Sequence, residues 1–287
     1  MTACNEKKTD ASCIGVKQGV LSETLLPDYA GEGDLLNRYR DGVWLADSIN
    51  RHSAEIFENE FGNYIKRLKR IPSETQDKSI ANLVRAMSAD SLSLLYLSKQ
   101  VEDRLFYSGS SQVNEELYLL FLHHFIKTDK FDSVMMLSFR QKQKMVSANR
   151  PGLFCSDLSF MTDKEQVLRL YQIESPYLLL YFYNPDCREC VNTLHQLKNS
   201  EIINVFQEKE QLQIVAIYPD ADLAVWRSEL NILPAGWIKG YDADQQIYTS
   251  RSFHLQAIPS LYLLAHDKRV LLKDTSVPII EQVLKNL

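Results

Sequence analysis

Where the helix breakers fall constrains this chain more than any other feature. Seven of its nine prolines lie at or after Pro151, and none lies between Pro72 and Pro151. Gly109 is the only glycine between Gly62 and Gly152. Proline removes a helical hydrogen bond and glycine costs backbone entropy. The stretch nearly free of both suits helices, and the heavily punctuated remainder does not.

The apolar pattern changes at the same place. Over residues 28–149 it runs at helical spacing: Phe57, Phe61, Tyr64, Ile65 and Leu68, then Ile80, Leu83, Val84 and Met87, then Leu117, Leu120, Phe121 and Phe125. This predicts an all-helical domain of about five or six helices with short connections. Ser73 and Gln76 have the spacing of a capping box. The basic clusters 66–70 and 140–144 are expected near helix C-termini, where cations meet the negative dipole end. A patch for anionic lipid or an acidic partner is the alternative. His123 and His124 point to different faces of one helix, so shared metal ligation is not expected.

From residue 150 to 287, short β-rich runs alternate with amphipathic stretches. Strands are predicted at Tyr177–Tyr183, Leu212–Tyr218, Leu261–Leu264 and Val270–Leu272, and the continuous apolar character of the first suits a central strand buried on both faces. Helices are predicted at Val191–Phe206, at Asp222–Leu230 and from Pro278 to the end. Alternation of this kind implies an α/β sheet. Trp226 and Trp237, among apolar neighbours, read as core or inter-domain packing.

Residues 1–27 are polar and aperiodic and read as a tether. Met1-Thr2-Ala3-Cys4 fits the end of a bacterial lipoprotein signal, in which the cysteine becomes the lipidated N-terminus. An incidental thiol in a loose terminus is the other reading of Cys4. Lipidation would anchor the chain without a spanning helix, and the longest apolar runs are far short of the roughly 20 residues a span requires. The formal charge of −5 argues against a nucleic-acid binder. Neither common Gly-rich phosphate loop is present, which disfavours nucleotide chemistry.

The five cysteines are too few, and odd in number, for a disulfide-stapled scaffold. Only Cys187 and Cys190 are close, in Cys187-Arg188-Glu189-Cys190. Cys187 follows a buried strand and the breaker Asn184-Pro185-Asp186, and precedes an amphipathic helix. Its sulfur is therefore expected at a helix N-terminus, where free N–H groups favour a thiolate. Cys190, one turn on, is within disulfide reach and would resolve the mixed disulfide. Asp186 is a candidate cap whose charge opposes the thiolate, as does Glu189, while Arg188 favours it. Zinc would need a second ligand pair, and a c-type haem a histidine where Val191 stands, so no metal and no cofactor is expected. Cys155 reads as a small buried hydrophobe in a first strand, with a regulatory thiol as the alternative.

A second element lies 69 residues beyond Cys190, at Ile258-Pro259-Ser260. A proline opening a buried strand needs a reason, and a cis peptide beside the dithiol, exposing backbone for substrate pairing, would be one.

With these pieces in order, residues 150–287 resemble a thioredoxin-like domain, most similar to the TlpA/ResA group of membrane-tethered bacterial thiol–disulfide oxidoreductases. The strand into the dithiol, Leu212–Tyr218, Ala257–Leu264, and the closing hairpin and helix all match. The run from Asn149 through Met161 resembles the β-hairpin that opens such domains. The helical half resembles an uncharacterised domain that precedes such modules in some bacterial lipoproteins.

The resemblance implies a central mixed sheet flanked by helices, and a reductant of protein disulfides in the bacterial cell envelope. Cys187 and Cys190 would be catalytic, Ile258 and Pro259 would shape the substrate groove, and an unidentified electron donor would be needed. The aliphatic residue before the proline is similar to reducing members. Three departures bear on proton shuttling and redox poise: Asp186 replaces the aromatic before the first cysteine, Tyr181 the buried acid, and Thr193 the glutamate after the second cysteine. Glu189 is a candidate replacement for the shuttle. The alternative from another class is a non-catalytic scaffold that holds a partner on its helical domain.

Overall fold

The computed structural model describes residues 51–287 apart from 108, 221, 229 and 250–252. The tether 1–27 and the lipidation candidate Cys4 lie outside the described residues.

The first half is helical: α1 (Arg51–Leu68), α2 (Ser73–Met87), α3 (Ser91–Leu105), α4 (Glu115–Thr128) and α5 (Ser133–Ser147). Asp90, Asn114 and Asp132 stand just ahead of the last three helices. Each side chain accepts the backbone N–H three residues on, at 2.7, 2.9 and 2.8 Å, satisfying a donor the helix itself leaves open. The apolar stripes close on one another in a single core that includes Phe61, Ile65, Ile80, Leu97, Val101, Phe121 and Phe125.

One local expectation fails here. Ser73 makes no capping box: Pro72 is the cap residue and has no side-chain cap bond. Gln76 instead donates backwards to the Leu68 and Ile71 carbonyls, tying the end of α1 to α2. The cluster Arg140–Lys144 lies in the C-terminal half of α5, with Lys144 in the last turn as expected, while Lys142 pairs with Glu102 of α3.

The second half is a seven-stranded mixed sheet with helices on it. Its elements are β1 (Ser159–Thr162), β2 (Val167–Arg169), β3 (Tyr177–Phe182), α6 (Arg188–Asn199), α7 (Glu201–Glu208), β4 (Leu212–Tyr218), α8 (Leu223–Ser228), β5 (Ile238–Tyr241), α9 (Gln246–Thr249), β6 (Ser260–Ala265), β7 (Val270–Leu272) and α10 (Val277–Leu284). The strand order is β2-β1-β5-β4-β3-β6-β7. β3 runs parallel to β4 and antiparallel to β6, and β4 runs parallel to β5.

Alternate residues of β3 feed opposite faces. Leu179, Tyr181 and Tyr183 pack with Leu194, Leu197, Ile203 and Ile280, while Leu178, Leu180 and Phe182 pack with Phe160, Ile247, Phe253 and Tyr262. The continuous apolar run is thus explained by burial on both sides. Trp226 and Trp237 belong to the first of these two cores.

The predicted helix Val191–Phe206 is two helices, because Ser200 adopts an extended conformation (φ −73°, ψ 110°) between α6 and α7. Its hydroxyl lies 3.3 Å from the Ile203 N–H it accepts and 2.6 Å from Glu281 of α10. The stretch predicted as Asp222–Leu230 contains only α8, followed by a 3-10 turn at Leu230–Ile232. Cys155 lies in no strand; its N–H donates to the Lys268 carbonyl at 2.8 Å beside the single bridge Phe154–Arg269. Its side chain is buried, which pushes the thiol up to about 12.

Candidate active site at the head of α6

β3 ends at Phe182 and α6 begins at Arg188, and the five residues between them set the site. Asn184 starts a turn: its carbonyl accepts the Cys187 N–H at 3.1 Å, and its side-chain oxygen accepts the Asp186 N–H at 3.0 Å. Pro185 sits second in that turn, where its fixed φ is suited. The Asn184 amide also donates to Asp220 beyond β4, at 3.2 Å. The turn is therefore anchored to the neighbouring strand.

The residue that caps α6 is Cys187 itself. Its Sγ accepts the Cys190 N–H at 3.3 Å and lies 3.5 Å from the Ile258 carbonyl, to which a protonated thiol donates. Asp186, the candidate cap, is exposed and does not cap the helix. The reason is geometric: the chain enters the helix one residue later than a cap at Asp186 would require.

The two sulfurs have different surroundings. Cys187 is part-exposed and Cys190 is 1% exposed, and both are free thiols. Burial, chiefly, pushes the Cys190 thiol up to about 12, although the Asn184 N–H donated to its sulfur at 3.4 Å works the other way. Glu189 opposes ionisation of Cys190 through its charge, and both Arg188 and Glu189 are exposed.

Beneath the dithiol lies Tyr181. Its hydroxyl donates to the Cys190 carbonyl at 2.6 Å, and its ring stacks on Tyr183 at 5.2 Å and meets Trp237 edge-on at 6.3 Å. Burial first, then the neighbouring Cys190, raises its pKa well above the ordinary phenol value. This phenol buttresses the first turn of α6 and is not a base near neutral pH.

Across from Cys187, the Ile258–Pro259 peptide is cis, and Ser260 directly after it opens β6. The Ser260 hydroxyl donates to Asp274 at 2.6 Å. The structure thus brings Cys187, Cys190, Ile258 and Pro259 together, with Asp186, Arg188 and Glu189 on the rim.

Sequence reasoning did not single out Asp220, Asp274, Lys273 or Glu115, all of which hold segments of this neighbourhood. Only Glu115 carried a local signal, as an acid in the first turn after the cap Asn114. Elsewhere, His123 and His124 meet edge-on at 5.2 Å, and His124 contacts Asp77 at 2.8 Å. No group of three metal-ligating side chains occurs among the described residues, and none of their helices is long and apolar enough to cross a membrane.

The domain of unknown function DUF5106 matches residues 35–149. No curated protein matches the chain. A thioredoxin-like protein from Bacteroides caccae is 30% identical with a TM-score of 0.80, over 90% of this chain and 94% of that one. The C-terminal domain of an uncharacterised protein from Bacteroides fragilis is 36% identical, over 48% of this chain and 98% of that one, with a TM-score of 0.47. The thioredoxin domain of a thiol-disulfide oxidoreductase from Bacteroides vulgatus is 15% identical, over 48% and 96%, with a TM-score of 0.43. On the near-full-length match to the first of these, and on a mixed sheet that leads a cysteine pair into a helix, the chain belongs to the thioredoxin-like proteins.

Proposed function

We propose that this protein is a thiol–disulfide oxidoreductase that reduces protein disulfides in the bacterial cell envelope, as members of the TlpA/ResA group do. One observation carries the reading: the part-exposed Cys187 sulfur caps α6, while Cys190 lies buried one turn behind it.

In the forward direction the Cys187 thiolate attacks one sulfur of a substrate disulfide, forming a mixed disulfide and releasing the first substrate thiolate. Cys190 then loses its proton and attacks Cys187 Sγ, which releases the second substrate thiolate and leaves a Cys187–Cys190 disulfide. Two electrons have passed to the substrate, and a dithiol donor returns them. Sulfur supplies all of this chemistry.

The proton on Cys190 needs an acceptor, because its thiol lies near about 12. Tyr181 donates its own proton to the Cys190 carbonyl and is no acceptor. The departing substrate thiolate, formed beside Cys187, is a base of ordinary thiol strength, near about 8.5. It takes the proton as Cys190 closes the ring.

Ile258 and Pro259 face Cys187 and would line the groove for the substrate backbone. The envelope location rests on the resemblance to the TlpA/ResA group, and the electron donor would be a dithiol. Trapping tests the activity. The full chain with Cys190→Ser should accumulate a mixed disulfide through Cys187 when mixed with a disulfide-bonded peptide, and Cys187→Ser should not. Equal, negligible trapping by both forms would favour a binding scaffold instead.

A further inference from the structure

A carboxylate of the helical half reaches the dithiol's opposite wall. Glu115, in the first turn of α4, has its oxygens 2.9 and 2.6 Å from Lys273 Nζ, and its Oε1 accepts from the Gln256 amide at 3.3 Å. The Lys273 side chain is 3% exposed, so this pair is shielded from water and salt. Asp274, the next residue, accepts the Ser260 hydroxyl at 2.6 Å, and its other oxygen lies 4.0 Å from Lys273 Nζ.

Gln256 lies two residues before Ile258, and Ser260 directly follows Pro259. Glu115 therefore grips the loop on both sides, directly at Gln256 and through Lys273 and Asp274 at Ser260. Between the grips, the Ile258 carbonyl lies 3.5 Å from Cys187 Sγ. The start of the same loop is held as well: Phe106 stacks on His254 at 4.9 Å and on Tyr118 at 4.8 Å. An acid in the first turn of a helix is favoured by the dipole anyway. That preference accounts neither for the buried lysine nor for the contact with Gln256.

We propose that Glu115 is a positioning residue for the dithiol: the helical half holds the loop 256–260 where an extended polypeptide can lie along it and present its disulfide to Cys187. The proposal deepens the thiol–disulfide reading above and rests on it. A polypeptide must pair with the loop to be oriented, whereas a small disulfide need only meet the sulfur. Loosening the loop therefore penalises the first and spares the second.

The test uses the full chain, as Glu115→Gln and as the double variant Glu115→Gln with Lys273→Met. The double variant removes both charges, so no lone ammonium stays buried. With dithiothreitol as donor, the readouts are turnover of a disulfide-bonded peptide, turnover of a small aromatic disulfide, and hydrogen exchange over 254–262. In both variants, exchange in this loop should speed up about tenfold, the loop opening locally while the rest of the sheet keeps its protection. KM for the peptide should rise about fivefold or more, and the small disulfide should react within about twofold of the wild-type rate, the difference being binding that only the peptide makes. Unchanged loop exchange in a folded double variant would overturn the proposal. So would equal losses on both substrates, which would mark Glu115 as merely structural. If the wild type reduces neither substrate while loop exchange still rises in the variants, the redox reading falls and the loop-holding role of Glu115 is supported.

Discussion

Burial separates two thiols of one helical turn. Cys187 Sγ lies at the mouth of the turn, with the Cys190 N–H on one side and the Ile258 carbonyl on the other. Cys190 sits in the apolar core with Leu194 and Tyr181. Burial pushes its thiol up to about 12, so Cys190 stays protonated at pH 8, and the thiolate is the species that reacts. Brief treatment of the reduced protein with iodoacetamide at that pH should therefore label Cys187 well ahead of Cys190, read by peptide mass spectrometry. Labelling of Cys190 first would contradict the assignment of roles. The order of the two thiols was legible in the sequence, because a strand, a breaker and a helix fix which cysteine comes first. The cap was not. Asp186 is a better capping residue by type, but the turn at Asn184–Cys187 brings the chain into the helix one residue too late for it.

Individual elements were legible where burial imposes one period. β3, β4, β6 and β7 fall within a residue of their predicted ends, because each carries a run of apolar side chains for one or both cores. Breaks within helices were less so. Ser200 interrupts what its apolar neighbours make look continuous, and its hydroxyl serves α7 and α10 at once. β5 carries no long apolar run to announce it, and its placement depends on a close approach. At Gly240 an added Cβ would stand 2.3 Å from the Phe160 ring of β1, so only glycine lets the two strands pair at this register. Gly240→Ala should cost about 1–3 kcal/mol or more through forced overpacking. Urea denaturation measures this, and a loss under about 0.5 kcal/mol, the usual range for surface changes, would show that Phe160 moves aside freely.

At the scale of the whole molecule, two halves with separate cores meet through a few polar and aromatic contacts. Arg150 pairs with Glu116, Lys273 with Glu115, and His254 stacks on Phe106. None of these pairings was legible, since each joins residues more than 30 positions apart and the first-turn acids of α4 do not announce their distant partners. His254 makes the junction sensitive to acid. Burial, and then the charge of Lys273, lowers the His254 pKa from 6.5 to about 4. Between these values the unfolded chain binds more protons than the folded one, so stability rises with pH across this window. The contribution is complete above about pH 6.5 and is lost as the pH falls towards about 4. His254→Phe keeps a ring on Phe106 and removes the titration. Its melting temperature should fall less than that of the wild type between about pH 7 and about pH 4.5, and equal falls would contradict the burial of a neutral histidine at this junction.

The central claim is that Cys187 and Cys190 form a reversible dithiol that gives electrons to protein disulfides. The most direct measurement is its reduction potential, by equilibration across a dithiol buffer series, alkylation and mass spectrometry. The account predicts a single Cys187–Cys190 disulfide with a potential near about −270 mV, in the range of thioredoxin. A value near about −120 mV would reverse the electron flow, and the absence of any disulfide between these two cysteines across the whole series would contradict the account itself.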